Sequence, residues 1–159
     1  MLAKEDFAAE IERRCNTLYR VAYTILRNDE NVKDALQNTA LAAWEKLSSL
    51  RDPALFGTWI TRILINECHS FERRSRKYLL QREVQSAATN PEEVSDVRIA
   101  LNGLPEKLRL PLVLHYLEGY SYAEISKMLR VRQSTVRSRL SRARDALCIE
   151  ITENEGALK

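Results

Sequence analysis

Tyr120-Ser-Tyr-Ala-Glu-Ile-Ser-Lys-Met-Leu-Arg-Val-Arg-Gln-Ser-Thr-Val-Arg-Ser-Arg-Leu-Ser-Arg-Ala-Arg-Asp-Ala-Leu147 decides the fold. It reads as two short helices joined by a tight turn. Ser121 and Glu124 form an S-x-x-E capping box, which satisfies free N–H groups at a helix start. Ala123, Ile125, Met128 and Leu129 supply an apolar face, and the pattern breaks over residues 130–133, where the turn is placed. In the second helix Val136, Leu140, Ala143 and Leu147 recur at spacings of four, three and four, which keeps them on one face. Ser134, Ser138, Ser141 and Asp145 then lie opposite, flanked by Arg137 and Arg142. A helix with one buried stripe and small polar residues between arginines suits the major groove. Small side chains let the backbone approach, and arginine pairs bidentately with guanine. Lys127, Arg130, Arg132, Arg137, Arg139, Arg142 and Arg144 occur without an intervening acid. A solvated charged face would also give such a run, but here it coincides with a helix-turn-helix pattern.

The whole chain sets looser bounds. A composition that is 45% hydrophobic and 30% charged, with four Gly and four Pro, fits a soluble globular protein of one or two small domains. The net charge of +3 is modest, so the local basic cluster carries more information than the total. Lys4, Glu5 and Asp6 interrupt any apolar leader, and no stretch is apolar enough to span a bilayer, so a cytoplasmic location is expected. Cys15, Cys68 and Cys148 are odd in number and far apart, which disfavours a disulfide framework or a zinc knuckle. Each sits where an apolar residue would fit a helix and is expected to be a buried thiol. His115, among Leu112, Val113, Leu114 and Tyr116, reads as a packed helix residue.

Taken in order, Phe7, Ile11, Cys15, Leu18, Ala22 and Ile25 predict an amphipathic helix over 4–27. Asn28-Asp29 breaks it and can cap the next, which carries Ala35, Leu36, Thr39, Ala43, Trp44 and Leu47 to about Leu50. Pro53 and Gly57 mark Arg51 to Thr58 as a loop. A third helix starts near Thr58, runs through Trp59, Ile60, Ile63, Leu64 and Phe71, and ends in Arg73, Arg74, Arg76 and Lys77. The small, polar stretch Gln85 to Glu93 is the linker candidate. After it, Val97, Leu101 and Leu104 suggest a short helix, and Pro105 opens another at its first helical position. Pro111 within that helix predicts a start nearer Pro111 or a kink. The tail after Glu150 is weakly patterned and is expected to fray. The resulting fold class is all-α, with domains at 1–80 and 96–150, a linker at 81–95 and a tail at 151–159.

Two blocks resemble one family. Leu104-Pro-Glu-Lys-Leu-Arg-Leu-Pro through Ala123-Glu-Ile125, continuing to Thr135-Val-Arg-Ser-Arg-Leu-Ser-Arg-Ala-Arg144, is similar to region 4 of bacterial RNA polymerase sigma factors. Asp34-x-x-Gln37, Trp44, Phe56-x-x-Trp59-Ile60-x-x-Ile63, Asn66 and Arg73-Arg74 are similar to region 2. With only these two regions, the chain resembles the small extracytoplasmic-function (ECF) group, which serves stress responses. The resemblance implies a transcription initiation factor that binds core polymerase, through the β′ clamp helices and the β subunit, and directs it to promoter DNA. It implies no catalysis of its own, no cofactor, no metal and no small-molecule substrate, and it suggests an anti-sigma factor as a further partner.

By position, Asp34 and Gln37 carry over as polymerase-docking residues, while Trp44 and Trp59 read as structural. Asn66, Arg73 and Arg74, with the loop Arg51 to Thr58, carry over to the melted −10 element. Ser138, Ser141 and Arg142 carry over to reading the −35 duplex, with Arg137 and Arg139 on phosphates. Some positions depart from the family. Asn31 and Asn38 replace frequent acids, Ser70 and Phe71 replace an Asp and a basic residue, and Arg132 replaces a serine cap. Arg130 stands at the usual turn glycine, where a left-handed backbone would be strained.

Two other classes compete. An autonomous dimeric helix-turn-helix regulator explains Tyr120 to Leu147 but not the first block. A nucleic-acid enzyme lacks support, because no paired carboxylates, metal cluster or phosphate loop stands out. The polar stretch yields one expectation that proteolysis checks. Limited digestion should cut first between Gln85 and Glu93 and leave two folded helical fragments. A protease-resistant single core across that stretch would contradict the two-domain reading.

Overall fold

A computed structural model of the chain describes residues 2–79 and 96–157. The chain divides into two compact helical units, residues 1–87 and 88–159. The expected linker, 81–95, lies outside the described residues.

The first unit packs three helices against one another: α1 (Lys4–Leu26), α2 (Asp29–Glu45) and α3 (Phe56–Leu79). In α1 the expected apolar stripe is buried at Phe7, Leu18, Ala22 and Ile25, but Ile11 is only half-buried and Cys15 exposed, while Val21 is buried in addition. It ends at Arg27, whose left-handed backbone (φ 52°) returns its N–H to the Tyr23 carbonyl. Asn28 caps α2 by accepting from the Asn31 N–H at 3.0 Å, which satisfies one of the free donors at the helix start. The Tyr19 hydroxyl bonds the Asp29 carboxylate and ties α1 to the start of α2. That bond, with Lys33 beside it, holds the Asp29 carboxyl below its usual range. Val32, Ala35, Thr39 and Ala43 are the buried side of α2, and the Thr39 hydroxyl donates to the Ala35 carbonyl at 2.7 Å. The helix stops at Glu45, earlier than the expected Leu50, and a 3₁₀ turn takes over from Leu47 to Ser49.

The loop before α3 is also more ordered than its Pro and Gly suggested. Asp52 accepts from the Ala54 N–H at 3.0 Å and caps a 3₁₀ turn, Pro53–Leu55. Helix α3 therefore begins at Phe56 rather than near Thr58, and Phe56 is fully buried. Its ring meets Phe7 edge-on at 6.0 Å and tilts against Trp59 at 5.7 Å.

The second unit contains α4 (Asp96–Gly103), α5 (Glu106–Leu112), α6 (Tyr122–Leu129) and α7 (Gln133–Ala157). Pro105 precedes α5 as its cap residue, with extended backbone, and its carbonyl accepts from Leu108 and Arg109 at 2.9 Å each. Helix α5 starts at Glu106, so Pro111 lies inside it and not at its start. Proline has no N–H to offer the Lys107 carbonyl, and the chain passes directly into one π turn, Val113–Leu117. There the Glu118 N–H reaches back five residues to the Val113 carbonyl at 3.1 Å. The extra residue shifts the following side chains around the axis, and Tyr116 and Leu117 face solvent. Arg109 is buried at 5% exposure and donates to the Leu104 carbonyl at 2.8 Å, so it braces the α4–α5 corner. His115 is half-buried with Nδ1 2.8 Å from the Tyr120 carbonyl, in keeping with a packed structural role. Helix α7 continues to Ala157, past the expected end at Glu150.

Arg130 closes α6 with φ 56° and ψ 43°, the left-handed conformation in which any Cβ crowds the following carbonyl oxygen. Glycine adopts that conformation without a Cβ clash. Replacing Arg130 by Gly should therefore stabilise the second unit by about 1 kcal/mol, read as a higher urea midpoint for the full chain with an unchanged m-value. An unchanged or lower midpoint would show that the arginine side chain offsets the backbone strain.

Candidate nucleic-acid interface

The helix-turn-helix is built from local bonds the sequence encodes. The Glu124 N–H donates to Ser121 Oγ at 3.2 Å, and the Ser121 N–H donates to Glu124 Oε2 at 2.8 Å, completing the capping box. At the turn, the N–H groups of Arg130 and Val131 both reach the Ser126 carbonyl. Helix α7 begins with the Thr135 and Val136 N–H groups on the Arg132 carbonyl, at 3.0 and 3.1 Å. Ile125 and Met128 of α6 are buried, as are Val136, Leu140 and Ala143 of α7.

That burial leaves the other side of α7 to solvent. Ser134, Arg137, Ser138, Ser141 and Arg142 are exposed, whereas Arg139 is half-buried at the edge of the core stripe. The Ser138 hydroxyl donates to the Thr135 carbonyl at 3.0 Å, so its oxygen lone pairs remain as acceptors toward solvent. Arg144 leaves this group. Its Nη1 donates to the Tyr116 hydroxyl at 2.7 Å, linking α7 to the π turn. Hydrogen bonding to Tyr116, then to Tyr122, pushes the Arg144 guanidinium still further toward its charged form. Arg144 therefore belongs to an apolar groove of about 330 Å³ lined by Leu101, Leu112, Val113, Tyr116, Leu117 and Leu147.

In the first unit, Asn66, Arg73 and Arg74 are all exposed on α3. Arg62 is exposed one turn before Asn66, and at about 100° per residue Arg62, Asn66 and Arg73 fall within one narrow stripe. The sequence reading passed over Arg62, although its spacing of four from Asn66 was the available signal. Residues 51–55 are exposed, with Leu55 at the point where the 3₁₀ turn meets α3. Asp34 and Gln37 are exposed on α2, and Leu41 continues the same face at 65% exposure.

Trp44 corrects an expectation. Read as structural, it packs one edge on Phe7 at 5.3 Å and lies under the Lys4 ammonium at 5.4 Å, yet stays 44% exposed. It opens into a cleft of about 450 Å³ shared with Leu2, Glu45, Leu47 and Ser48. Trp59 is half-buried. The thiols are corrected too: Cys68 is buried, but Cys15 and Cys148 are exposed. Helical spacing fixes which residues share a face but not how far the neighbouring helices cover it.

Comparison with known proteins matches these two units separately. Residues 11–78 match the family model "Sigma-70 region 2", and residues 96–147 match "Sigma-70, region 4". The chain is 34% identical over 140 residues to the ECF RNA polymerase sigma factor SigM of Mycobacterium tuberculosis, covering 85% of this chain and 71% of that one. The chain is an ECF sigma factor. Among solved structures, the sigma factor RpoE of Bartonella quintana, in complex with the anti-sigma factor NepR, superposes with TM-score 0.80. It is 26% identical, with 93% of this chain and 98% of that one covered. CnrH, in complex with the cytosolic domain of CnrY, shares the fold at TM-score 0.71 and 24% identity, over 95% and 90% of the two chains. As a sigma factor this protein acts in transcription initiation and is not itself an enzyme. Among the described residues no helix is long and apolar enough to cross a membrane.

Proposed function

We propose that this sigma factor docks on core RNA polymerase in the cytoplasm through the exposed face of α2 and selects promoters with two DNA surfaces. Helix α7 reads the −35 duplex from the major groove, and the loop 51–55 with α3 holds the melted −10 strand. The observation that carries this reading is the division of α7. Val136, Leu140 and Ala143 are fully covered, so Arg137, Ser138, Ser141 and Arg142 form a free face of short acceptors between two cations. Arg142 reaches a base edge, while Arg137 and the half-buried Arg139 meet phosphate. Arg62, Asn66 and Arg73 give α3 a polar, basic stripe that follows a single strand, with Arg74 flanking it about 100° round the helix.

On α2, the polar pair Asp34 and Gln37 runs into the apolar Leu41 and Trp44, which suits a helical partner such as the β′ clamp. Charged residues fix register, and the desolvated apolar centre supplies affinity. The groove beside Arg144 suits a segment of the β subunit. An anti-sigma factor is the expected inhibitory partner, because RpoE is seen in complex with the anti-sigma factor NepR.

Start-site-specific run-off transcription, from a genomic fragment library with purified core polymerase, tests the whole reading. RNA that starts at random, with or without the protein, would refute it. A footprint of the isolated protein as a dimer on a palindrome would point instead to an autonomous regulator. For docking, Asp34→Arg and Leu41→Asp should each weaken core binding about tenfold or more while the thermal melt of the chain stays unchanged. Unaltered pull-down by both variants would make this face an ordinary solvated one. For DNA, Arg142→Ala should cost about 1–3 kcal/mol at the cognate −35 sequence and relax preference at one base pair. Arg139→Ala should weaken all sequences alike and reduce the salt slope by about one. Equal losses of base preference in both variants would remove the assigned division of labour.

A further inference from the structure

Arg14 sits where helix α1 crosses the start of α3, and its surroundings do not account for it as a packing residue. Its guanidinium carbon lies 5.7 Å from the centre of the Phe56 ring. On another side it meets Gly57, where a Cβ would come within 3.4 Å of Nε. That is van der Waals contact, so the guanidinium lies close against this glycine. Nε is enclosed there with no hydrogen-bond acceptor. Nη2 meets Glu10 Oε2 at 3.3 Å, and Glu10 is shared with Arg13, whose Nη1 is closer at 2.6 Å. The Arg14 side chain remains 31% exposed.

The Phe56 and Glu10 contacts are favourable, but two features of the position are not. An enclosed N–H without an acceptor loses its hydration and gains no bond in return. A cation beside the first turn of a long helix opposes the helix dipole. An apolar side chain of similar length would fill the same space without either cost. The arginine's five donors are only partly used, and its one acid is divided between two cations. A second anion is therefore the missing partner. The position supplies it: Phe56 and Gly57 directly follow the exposed loop 51–55, which the reading above assigns to the melted −10 strand.

We propose that Arg14 is a phosphate contact for that single strand, seated beside Phe56 and Gly57 and restrained by Glu10 until DNA arrives. When the strand enters the loop, a backbone phosphate takes the guanidinium and Glu10 stays with Arg13. The phosphate takes the solvent-facing side of the guanidinium, and the opposed dipole turns favourable, since helix starts attract anions. The inference rests on the −10 assignment of the loop and α3.

The test uses holoenzyme reconstituted from the full chain and core polymerase. Its probe is a promoter selected by the wild-type enzyme from a random library, with the −10 segment premelted by mismatches. Affinity is measured across a salt series. Arg14→Gln should weaken binding about tenfold, as for loss of a charge-assisted hydrogen bond, and flatten the salt slope by about 0.7, one single-strand phosphate. Arg14→Lys should keep most of the slope, since the charge remains. Glu10→Gln should tighten binding about threefold, the scale of releasing a partly exposed ion pair. A purely structural arginine would shift the melting temperature and leave the slope alone, and that result overturns the proposal. If Arg14→Gln unfolds the first unit, Glu10→Gln decides, and unchanged affinity there overturns it. Arg73→Ala separates the two readings. A slope flattened by Arg73→Ala but not by Arg14→Gln removes only the Arg14 contact, and a slope flattened by neither removes the −10 assignment beneath it.

Discussion

The burial of Val136, Leu140 and Ala143 is the interaction on which the second unit depends. Each is completely covered, and together they form one stripe along α7. Burying an aliphatic side chain is worth about 1.5–3 kcal/mol, so rotating α7 to hide its arginines instead would cost several such contributions together with the desolvation of charge. The hydrophobic effect therefore does more than hold the helix in place. It sets which side faces outward, and that side carries Ser138, Ser141, Arg137 and Arg142. An exposed surface needs no separate positioning device when its opposite face is fixed this firmly.

The first unit works on the same logic with aromatic rings. Phe56 is buried against Phe7 and Trp59 at the first position of α3. It anchors the inner end of a loop whose other residues are exposed, while Asp52 orders the turn from within. A loop held at one end by a buried ring and shaped by its own cap has little conformational entropy left to lose. Trp44 shows the limit of such packing. One edge reaches Phe7, but the end of α2 lies beyond the cover of α1 and α3, so the rest of the indole stays open beside Leu41.

Local irregularity in the second unit redistributes function along the chain. Pro111 removes one backbone donor, and the π turn that follows brings Tyr116 to the surface, where it takes Arg144. A residue that the linear sequence places in a basic run is thereby moved to the rim of an apolar groove. At the other irregular point, Arg130 accepts a left-handed backbone because the Ser126 carbonyl takes two N–H groups there. The same arginine keeps a positive charge at the turn, where the family's usual glycine would have none.

By itself the sequence determined the periodic and the local features. Helix positions followed from apolar spacing. The backbone geometry at Arg130 could not be read from it, whereas the capping box at Ser121 and Glu124 could be read directly. So could the buried stripe of α7 and the exposure of Asp34, Gln37, Asn66, Arg73 and Arg74, because a stripe defines its own opposite side. Tertiary structure alone decided how wide each covered stripe is and what lies across from it. Cys15 and Cys148 are exposed although they keep helical spacing with apolar residues, and Leu41 and Trp44 extend the open face of α2. It also decided the pairings of groups far apart in sequence. Arg144 meets Tyr116 across 28 positions, and Arg14 meets Phe56 and Gly57 across more than 40. No periodicity encodes such meetings. They arise only when separate helices pack, since burying their apolar stripes fixes which polar edges are brought together.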